Sequence, residues 1–522
     1  MNCLALLARS ENAFARGLPL RALELCTCAL NGSPEPELEW QIRMVRAEAY
    51  LETDDHARVA RDCQRAAQIR DSVRLRVTWA RSCAAQDKHP EAVLQYELAI
   101  AVGELTAWQW HDYARSLLVL KSGVEAQRAA EHATELDSKE IEHFLLLVRA
   151  SIVTGQAPVF LPLLLQRCQS EPYDARVWAV LGGVEAAMGH HSEAIAAYRR
   201  CLALAPTRSD VAHSLSLLLM RQGNFEEGWT YHEHRLPDIG RSRRAGVPSW
   251  QGEPLDGKHL VVWCEQGFGD TIQFARFVPL LTRSVKVTFL VTSPLVCILR
   301  EHGEMGDVRS TEQGLVSADY QAKVMSLPRY LGIGANVAVA PCPFLRPNRL
   351  LCDEWSRVLP AGVKVALAWQ GNPNYCADSE RSMPLYHYEP LIASAGKDVS
   401  FISLQKNFGR EQLESSSLER RILDLGDSIN LNGDAFRDSL AILSLVDLFV
   451  TTDTALAHLA GAAGVPTWLL LSAAPDWRWG TSGETTCWYP SMRLCRQSEL
   501  GNWEALLARL SLELPERLSR TR

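Results

Sequence analysis

A recurring unit of about 34 residues dominates the first half of the chain, and nothing else in the sequence restricts the fold so strongly. It is clearest in ARVWAVLGGVEAAMGHHSEAIAAYRRCLALAP, Ala175–Pro206, where Trp178, Leu181, Gly182, Gly189, Ala194, Tyr198 and Pro206 stand at fixed offsets. One period back from Gly189 lies Gly155. Trp178 leads in the same way to Phe144 and Trp110, and three steps from Ala194 and Tyr198 reach Ala92 and Tyr96. Gly17, Ala22, Cys26 and Pro34 repeat the spacing within the unit near the start, and Leu215, Gly223 and Gly228 hold the phase in a last, degenerate copy. Small residues at such offsets let two antiparallel helices approach, while bulky ones fill the groove left by the next hairpin. About six to seven helical hairpins are expected over residues 1–240, stacked as an α-solenoid.

This spacing resembles the tetratricopeptide repeat. Trp110 and Tyr198 are expected in the solenoid core rather than at a ligand. The concave face of such an array suits a peptide or partner protein, with rigid spacing and self-association as other uses.

The bulk chemistry excludes several classes. Hydrophobic residues make up 47% and charged residues 22%, which is ordinary globular composition and not disorder. A formal charge of −7 gives no electrostatic case for nucleic acid or an anionic membrane. The densest basic cluster, Arg241, Arg243 and Arg244, reads as a solvated linker. None of the 14 cysteines forms a CxxC pair or sits beside histidines at zinc-ligand spacing, so no metal site is expected. Cys83, Cys201 and Cys297 lie in apolar runs, as free thiols do in a reducing compartment. The N-terminus lacks the pattern of a secretory signal, and no run of 18 apolar residues suggests a membrane span. A cytoplasmic protein is expected.

After SRRAGVPSWQGEPLDGKHL the pattern changes to short apolar runs alternating with amphipathic stretches, the mark of parallel α/β layers. Strands are expected at Leu260–Glu265, Lys286–Val291, Ala322–Met325, Val363–Trp369, Val399–Leu404, Leu448–Thr451 and Thr467–Leu471. The proline-punctuated segment PCPFLRPNRLLCDEWSRVLPAG separates two series of similar size. Two doubly wound lobes follow, at 255–345 and 360–498, with a helix in 499–522 expected to cross back.

Three loops at strand ends carry the candidate chemistry. In LVVWCEQGFGDTIQFARF, Gly267 and Gly269 let backbone amides come close to a ligand, and Asp270 opens a helix. Asp270 there is either a helix cap or a base for an acceptor hydroxyl. In LFVTTDTALAHLAGAAGVPTWLLL, Asp453 is the expected N-cap of an alanine-rich helix that Gly464 ends and Pro466 follows. Thr454 and His458 share one face of that helix, His458 being either a core residue or a ligand contact. The loop in ALAWQGNPNYCADSERSMPL ends in Arg381 and Ser382, where a guanidinium fork can meet a phosphate or simply face solvent. The aromatic-dense APDWRWGTSGETTCWYP, with Trp477, Trp479, Trp488 and Tyr489, either walls a sugar site or packs a crossing helix onto the first lobe.

Taken in order, CEQGFGDTIQFAR, WQGNPNYCADSERS, DTALAHLAGAAGVPTWLLL and APDWRWGTSGETTCWYPSMRLCRQ resemble a bacterial group of tetratricopeptide-repeat proteins. The C-terminal domain of that group is similar to the ADP-heptose-using transferases of glycosyltransferase family nine. The resemblance runs from about Trp250 to Trp503. It implies a GT-B fold of two Rossmann-like lobes and an inverting transfer from a nucleotide-sugar without a metal or other cofactor. It implies Asp270 as the base, and Asp453, Thr454, Ala455 and His458 as donor-binding residues. Arg381 with Ser382 would neutralise the diphosphate, Gln405 would touch the nucleoside, and Gly267 and Gly269 would form the loop beside phosphate and acceptor. Cys264, Phe268 and Tyr375 depart from the residues commonest in the group. The layout also resembles O-linked N-acetylglucosamine transferases, so a protein acceptor chosen by the repeats is expected. A lipid-linked or saccharide acceptor, and a non-catalytic interaction protein, are the alternatives.

Overall fold

The structure, a computed structural model, describes residues 2–235, 246–314, 316–334, 340, 342–375, 377–430 and 436–520. The cluster Arg241, Arg243 and Arg244 lies outside the described residues. Two compact units divide the chain, Met1–Arg208 and Ser209–Arg522.

The first unit is an α-solenoid of six hairpins among the described residues, from Cys3–Ala15 with Pro19–Leu30 to Ala175–Ala187 with His191–Leu204. Its phase is written in the backbone. Each hairpin turn holds one residue in the left-handed region, at Gly17, Asp54, Asp87, Lys121, Gly155 and Gly189, with φ between 57° and 79°. Glycine adopts that conformation without strain; aspartate and lysine at three of the turns are why the glycines alone do not show every repeat. Gly182 shows the packing rule: a methyl there would lie 2.4 Å from Cδ1 of buried Tyr198. Trp110 is only partly buried, yet it packs against the same core as Tyr113 and Tyr96.

A seventh hairpin, Ser209–Arg221 with Phe225–His232, completes the array and belongs to the second unit. The reason is apolar: Met220, Phe225 and Trp229 share one core with Phe274, Trp477 and Trp488. The Trp229 ring lies 5.9 Å from Phe274 and 5.6 Å from Trp477.

Two parallel sheets follow. The first runs β3-β2-β1-β4, with β1 at His259–Trp263, β2 at Lys286–Val291, β3 at Asp307–Ser310 and β4 at Tyr320–Lys323. The second runs β10-β9-β8-β5-β6-β7. Its strands are β5 Val363–Ala368, β6 Val399–Ser403, β7 Ile422–Asp424, β8 Leu448–Thr452, β9 Thr467–Leu471 and β10 Met492–Arg496. Counted from β5, this is the 3-2-1-4-5-6 order of a Rossmann sheet, and the first sheet is its shorter counterpart. The protein is thus a helical repeat array followed by two Rossmann-like lobes in the tandem of a GT-B fold. β1 and β8 are nearly continuous apolar runs because helices cover both faces of a parallel sheet.

The last helix, Trp503–Ser519, does not cross back to the first lobe. Leu507, Leu510 and Leu514 pack with Trp468, Leu470 and Val365 of the second sheet. Among the described residues no helix is long and apolar enough to span a membrane, and the described cysteines form no disulfide.

Candidate functional site

In a doubly wound sheet, ligands bind outside the carboxyl ends of the strands, where the strand order reverses. In the second lobe that point lies between β5 and β8, beyond Trp369 on one side and Asp453 on the other. In the first it lies between β1 and β4, beyond Cys264 and Val324.

The two lobes meet there helix on helix. The glycine turn leads into the helix Phe268–Ala275, with Gly267 at its N-cap, and β8 leads into the helix Ala455–Ala463, with Thr454 at its N-cap. A methyl on Gly269 would lie 2.7 Å from His458 Cδ2 and 3.5 Å from Ala455 Cα. Two helix N-termini, each with outward-facing amides and a positive dipole end, therefore sit side by side. Beside them the Thr454 hydroxyl oxygen is buried with no hydrogen-bond partner among the described residues. Asp453 is one residue before the N-cap and so is not the cap expected from the sequence. Gly464 ends the helix in the left-handed region, φ 75°.

Asp270 occupies the third position of its helix. Its Oδ2 accepts from the Gly267 amide at 3.1 Å, and its Oδ1 accepts from the Arg478 guanidinium. One oxygen thus serves the helix start while the other faces the opposing lobe. Arg478 lies in the loop after β9, donates from Nη1 to Asp476 at 2.9 Å and from Nε to Gln273, and stacks over Trp477 at 4.6 Å. Burial penalises its charge, but Asp476, Asp270 and Asp453 outweigh that and hold its pKa above the ordinary range.

His458 is buried. Its Nδ1 lies 3.0 Å from the Tyr489 hydroxyl, its ring stacks with Trp479 at 5.6 Å, and its Nε2 is 4.0 Å from Asp453 Oδ1. Burial, with Arg478, Arg276 and Arg381 nearby, pushes its pKa well below the ordinary value, so the imidazole is neutral. Asp453 accepts from Trp479 Nε1 at 2.8 Å. Burial raises its pKa from 3.8 to about 6, Asp476 adds to this, and Trp479, Arg478 and Arg381 oppose it.

That shift has a measurable consequence. A carboxyl whose folded pKa is raised favours the fold below pH 4 and loses that advantage as pH climbs through about 6. Asp453→Asn is expected to be more stable than the native chain by about 2 kcal/mol at pH 7.5, with the difference vanishing near pH 4. Urea unfolding of both chains at several pH values checks it; a pH-independent difference would contradict the assignment.

Arg381 and Ser382 lie beyond β5 at the same switch point. Arg381 Nε donates to Asp378 Oδ1 at 3.1 Å, its guanidinium stacks over Tyr375 at 4.5 Å, and the Ser382 hydroxyl accepts from the Gly371 amide at 2.9 Å. Gln405 does not fit the nucleoside contact expected of it. Its Oε1 accepts from the amides of Trp369 and Gln370, and its Nε2 donates to the carbonyls of Gln370 and Phe408. Both donors and both acceptor sites of the amide are taken up, so Gln405 clamps the β5 loop from behind.

The aromatic segment likewise packs instead of walling an open site. Trp477, Trp479, Trp488 and Tyr489 are all buried, and Arg276 from the first lobe donates to the Trp488 carbonyl at 2.8 Å and stacks over Tyr489 at 4.7 Å. The first lobe's own switch point is filled as well: Arg235, from the end of the seventh hairpin, pairs at 2.5 Å with buried Glu265, which also accepts from the Met325 amide. Burial raises the Glu265 pKa against the pull of Arg235. Sequence reading did not single out Arg478, Arg276 or Arg235. Arg478 had a visible signal, since an arginine preceded by an aspartate and set between two tryptophans in APDWRW is the composition of a buried ion pair.

Comparison with known proteins gives partial matches. Residues 71–208 match the family model described as a bacterial transcriptional activator domain. Protein FlbA of Caulobacter vibrioides is 27% identical over 323 residues, covering 57% of this chain; the chain spans about half the length of that relative, 53%. Among solved structures, a glycosyl transferase family 9 protein from Veillonella parvula is similar over 52% of this chain and 99% of its own, at 11% identity and a TM-score of 0.40. A tetratricopeptide repeat protein from Parabacteroides merdae is similar over 46% of this chain and 94% of its own, at 11% identity and a TM-score of 0.40.

Proposed function

We propose that the second unit is a glycosyltransferase that moves a sugar from a nucleoside-diphosphate donor to an acceptor hydroxyl with inversion and without a metal. The observation that carries this reading is the pair of helix N-termini meeting at Gly269 and Ala455, with the unpartnered Thr454 hydroxyl on one side and Asp270 on the other. A diphosphate seated there would be held by amides and dipole ends. As the glycosidic bond breaks, charge grows on the leaving phosphate, and these amides with Arg381 would stabilise it in place. Asp270, on the opposite lobe, would take the proton of the attacking hydroxyl. The repeat array would present a protein acceptor, in a cytoplasmic setting.

The test is ligand-dependent thermal stability with a panel of ADP-, UDP-, GDP- and dTDP-sugars. A ligand at about a hundred times its dissociation constant adds about 2.7 kcal/mol to the folded state, which raises the melting temperature by several degrees. One nucleotide class should do so, and Arg381→Ala should remove the effect. If no donor stabilises the chain, the reading of the site is wrong and an interaction protein without turnover takes its place.

A further inference from the structure

The Arg478 guanidinium belongs to the second lobe but ties down the acid of the first. Its Nη2 donates to Asp270 Oδ1, its Nε to Gln273 of the same first-lobe helix, and its Nη1 to Asp476 of its own loop. Asp270 therefore has both oxygens engaged, one by the Gly267 amide and one by Arg478. Each carboxylate oxygen can accept two hydrogen bonds, so a site stays open on each, but on Oδ1 the side that faces the opposing lobe is taken by Arg478. The Gly267 bond closes the helix start, so the bond to Arg478 is the one that can be exchanged. Arg478 has counter-charges besides Asp270 and would keep them on releasing it. Three carboxylates, Asp270, Asp476 and Asp453, act on Arg478. Asp270 keeps 23% of its side-chain surface open to solvent, while Arg478 keeps 8%.

We propose that Arg478 is a latch between the lobes, its guanidinium exchanging Asp270 for the diphosphate of an arriving donor, so that the side of Asp270 facing the opposing lobe opens to an acceptor only when the donor is in place. This rests on the transferase reading of the site and adds an order of events to it: donor first, acceptor second. No bond is made or broken in the exchange; one ion pair replaces another. Arg478 is a positioning residue in this scheme, acting on the reacting hydroxyl through Asp270.

Competition of this kind shows in binding alone. ADP and UDP are titrated calorimetrically into the full chain, into Asp270→Asn, into Arg478→Gln and into the double variant. The latch predicts that Asp270→Asn tightens nucleotide binding about tenfold, because the rival for the guanidinium is gone. Arg478→Gln should weaken binding at least about tenfold, and in that background Asp270→Asn should change affinity less than about twofold. Arg478→Lys, which keeps the charge, should restore most of the affinity and of the coupling. Equal tightening by Asp270→Asn in both backgrounds would mean simple charge repulsion and would overturn the latch alone. So would an unchanged affinity of Asp270→Asn in the otherwise native chain, a comparison that stands even where Arg478→Gln fails to fold. Absence of nucleotide binding by the native chain would overturn the latch together with the reading of the site.

Discussion

Asp270→Asn is expected to lower sugar transfer by about 10²–10⁴-fold while nucleotide affinity stays at or above the native level. The substitution keeps the shape of the side chain and leaves an oxygen for the Gly267 amide, so the start of the helix Phe268–Ala275 survives. What disappears is the group that the proposed transfer uses as its proton acceptor. Single-turnover product formation at saturating donor isolates that loss from binding. Transfer within about tenfold of the native rate would show that another group takes the proton, and the assignment of Asp270 would fail.

Gly269→Ala is the second large effect, and its cause is steric. The added methyl would meet His458 Cδ2 at 2.7 Å, and the imidazole has little room to retreat. Trp479 stacks on it, the Tyr489 hydroxyl holds Nδ1, and the ring is buried. Backbone of Ala455 at 3.5 Å closes the other side. The helices must therefore move apart, at a loss of about 1–3 kcal/mol in stability. Separation also pulls apart the two N-termini, so nucleotide binding should fall with it. Gly267→Ala makes the internal contrast, since a methyl there meets only Asp270 Oδ2 at 3.3 Å and no residue of the opposing lobe. Melting curves with and without nucleotide compare the two variants. Equal behaviour would mean that the close approach at Gly269 has no special role.

The sequence disclosed the parts of this fold whose physics repeats locally. The solenoid was legible because Gly182, Tyr198 and their equivalents recur at a fixed step and pack against near neighbours in the chain. Six strands were legible as apolar runs and a seventh, β4, was expected two residues too late, since Val324 and Met325 form a turn after it; the three that were missed, β3, β7 and β10, all lie on sheet edges. An edge strand is covered less completely and is short, so Asp307–Ser310 and Ile422–Asp424 carry little hydrophobic signal. The glycine turn and the alanine helix could be read as facing motifs, and the structure brings them together. Long-range partners could not be read. Nothing local says that Arg478 reaches Asp270, or that Gln405 uses its whole amide on the β5 loop. That the array's last hairpin belongs to the second unit was hidden for a similar reason. Its last hairpin keeps the repeat phase at Leu215 and Gly223 while its aromatic face serves a different core.

That hairpin decides where the polypeptide can be divided. Glu265 is a carboxylate enclosed at the end of a central strand, and its counter-charge comes from Arg235, upstream of every strand. A fragment starting at the first lobe would strip away that cation and the Trp229 side chain together, leaving an enclosed anion uncompensated at a penalty of about 3–5 kcal/mol. The shortest fragment expected to fold by itself therefore begins at Ser209, with the hairpin Ser209–His232 kept as part of it.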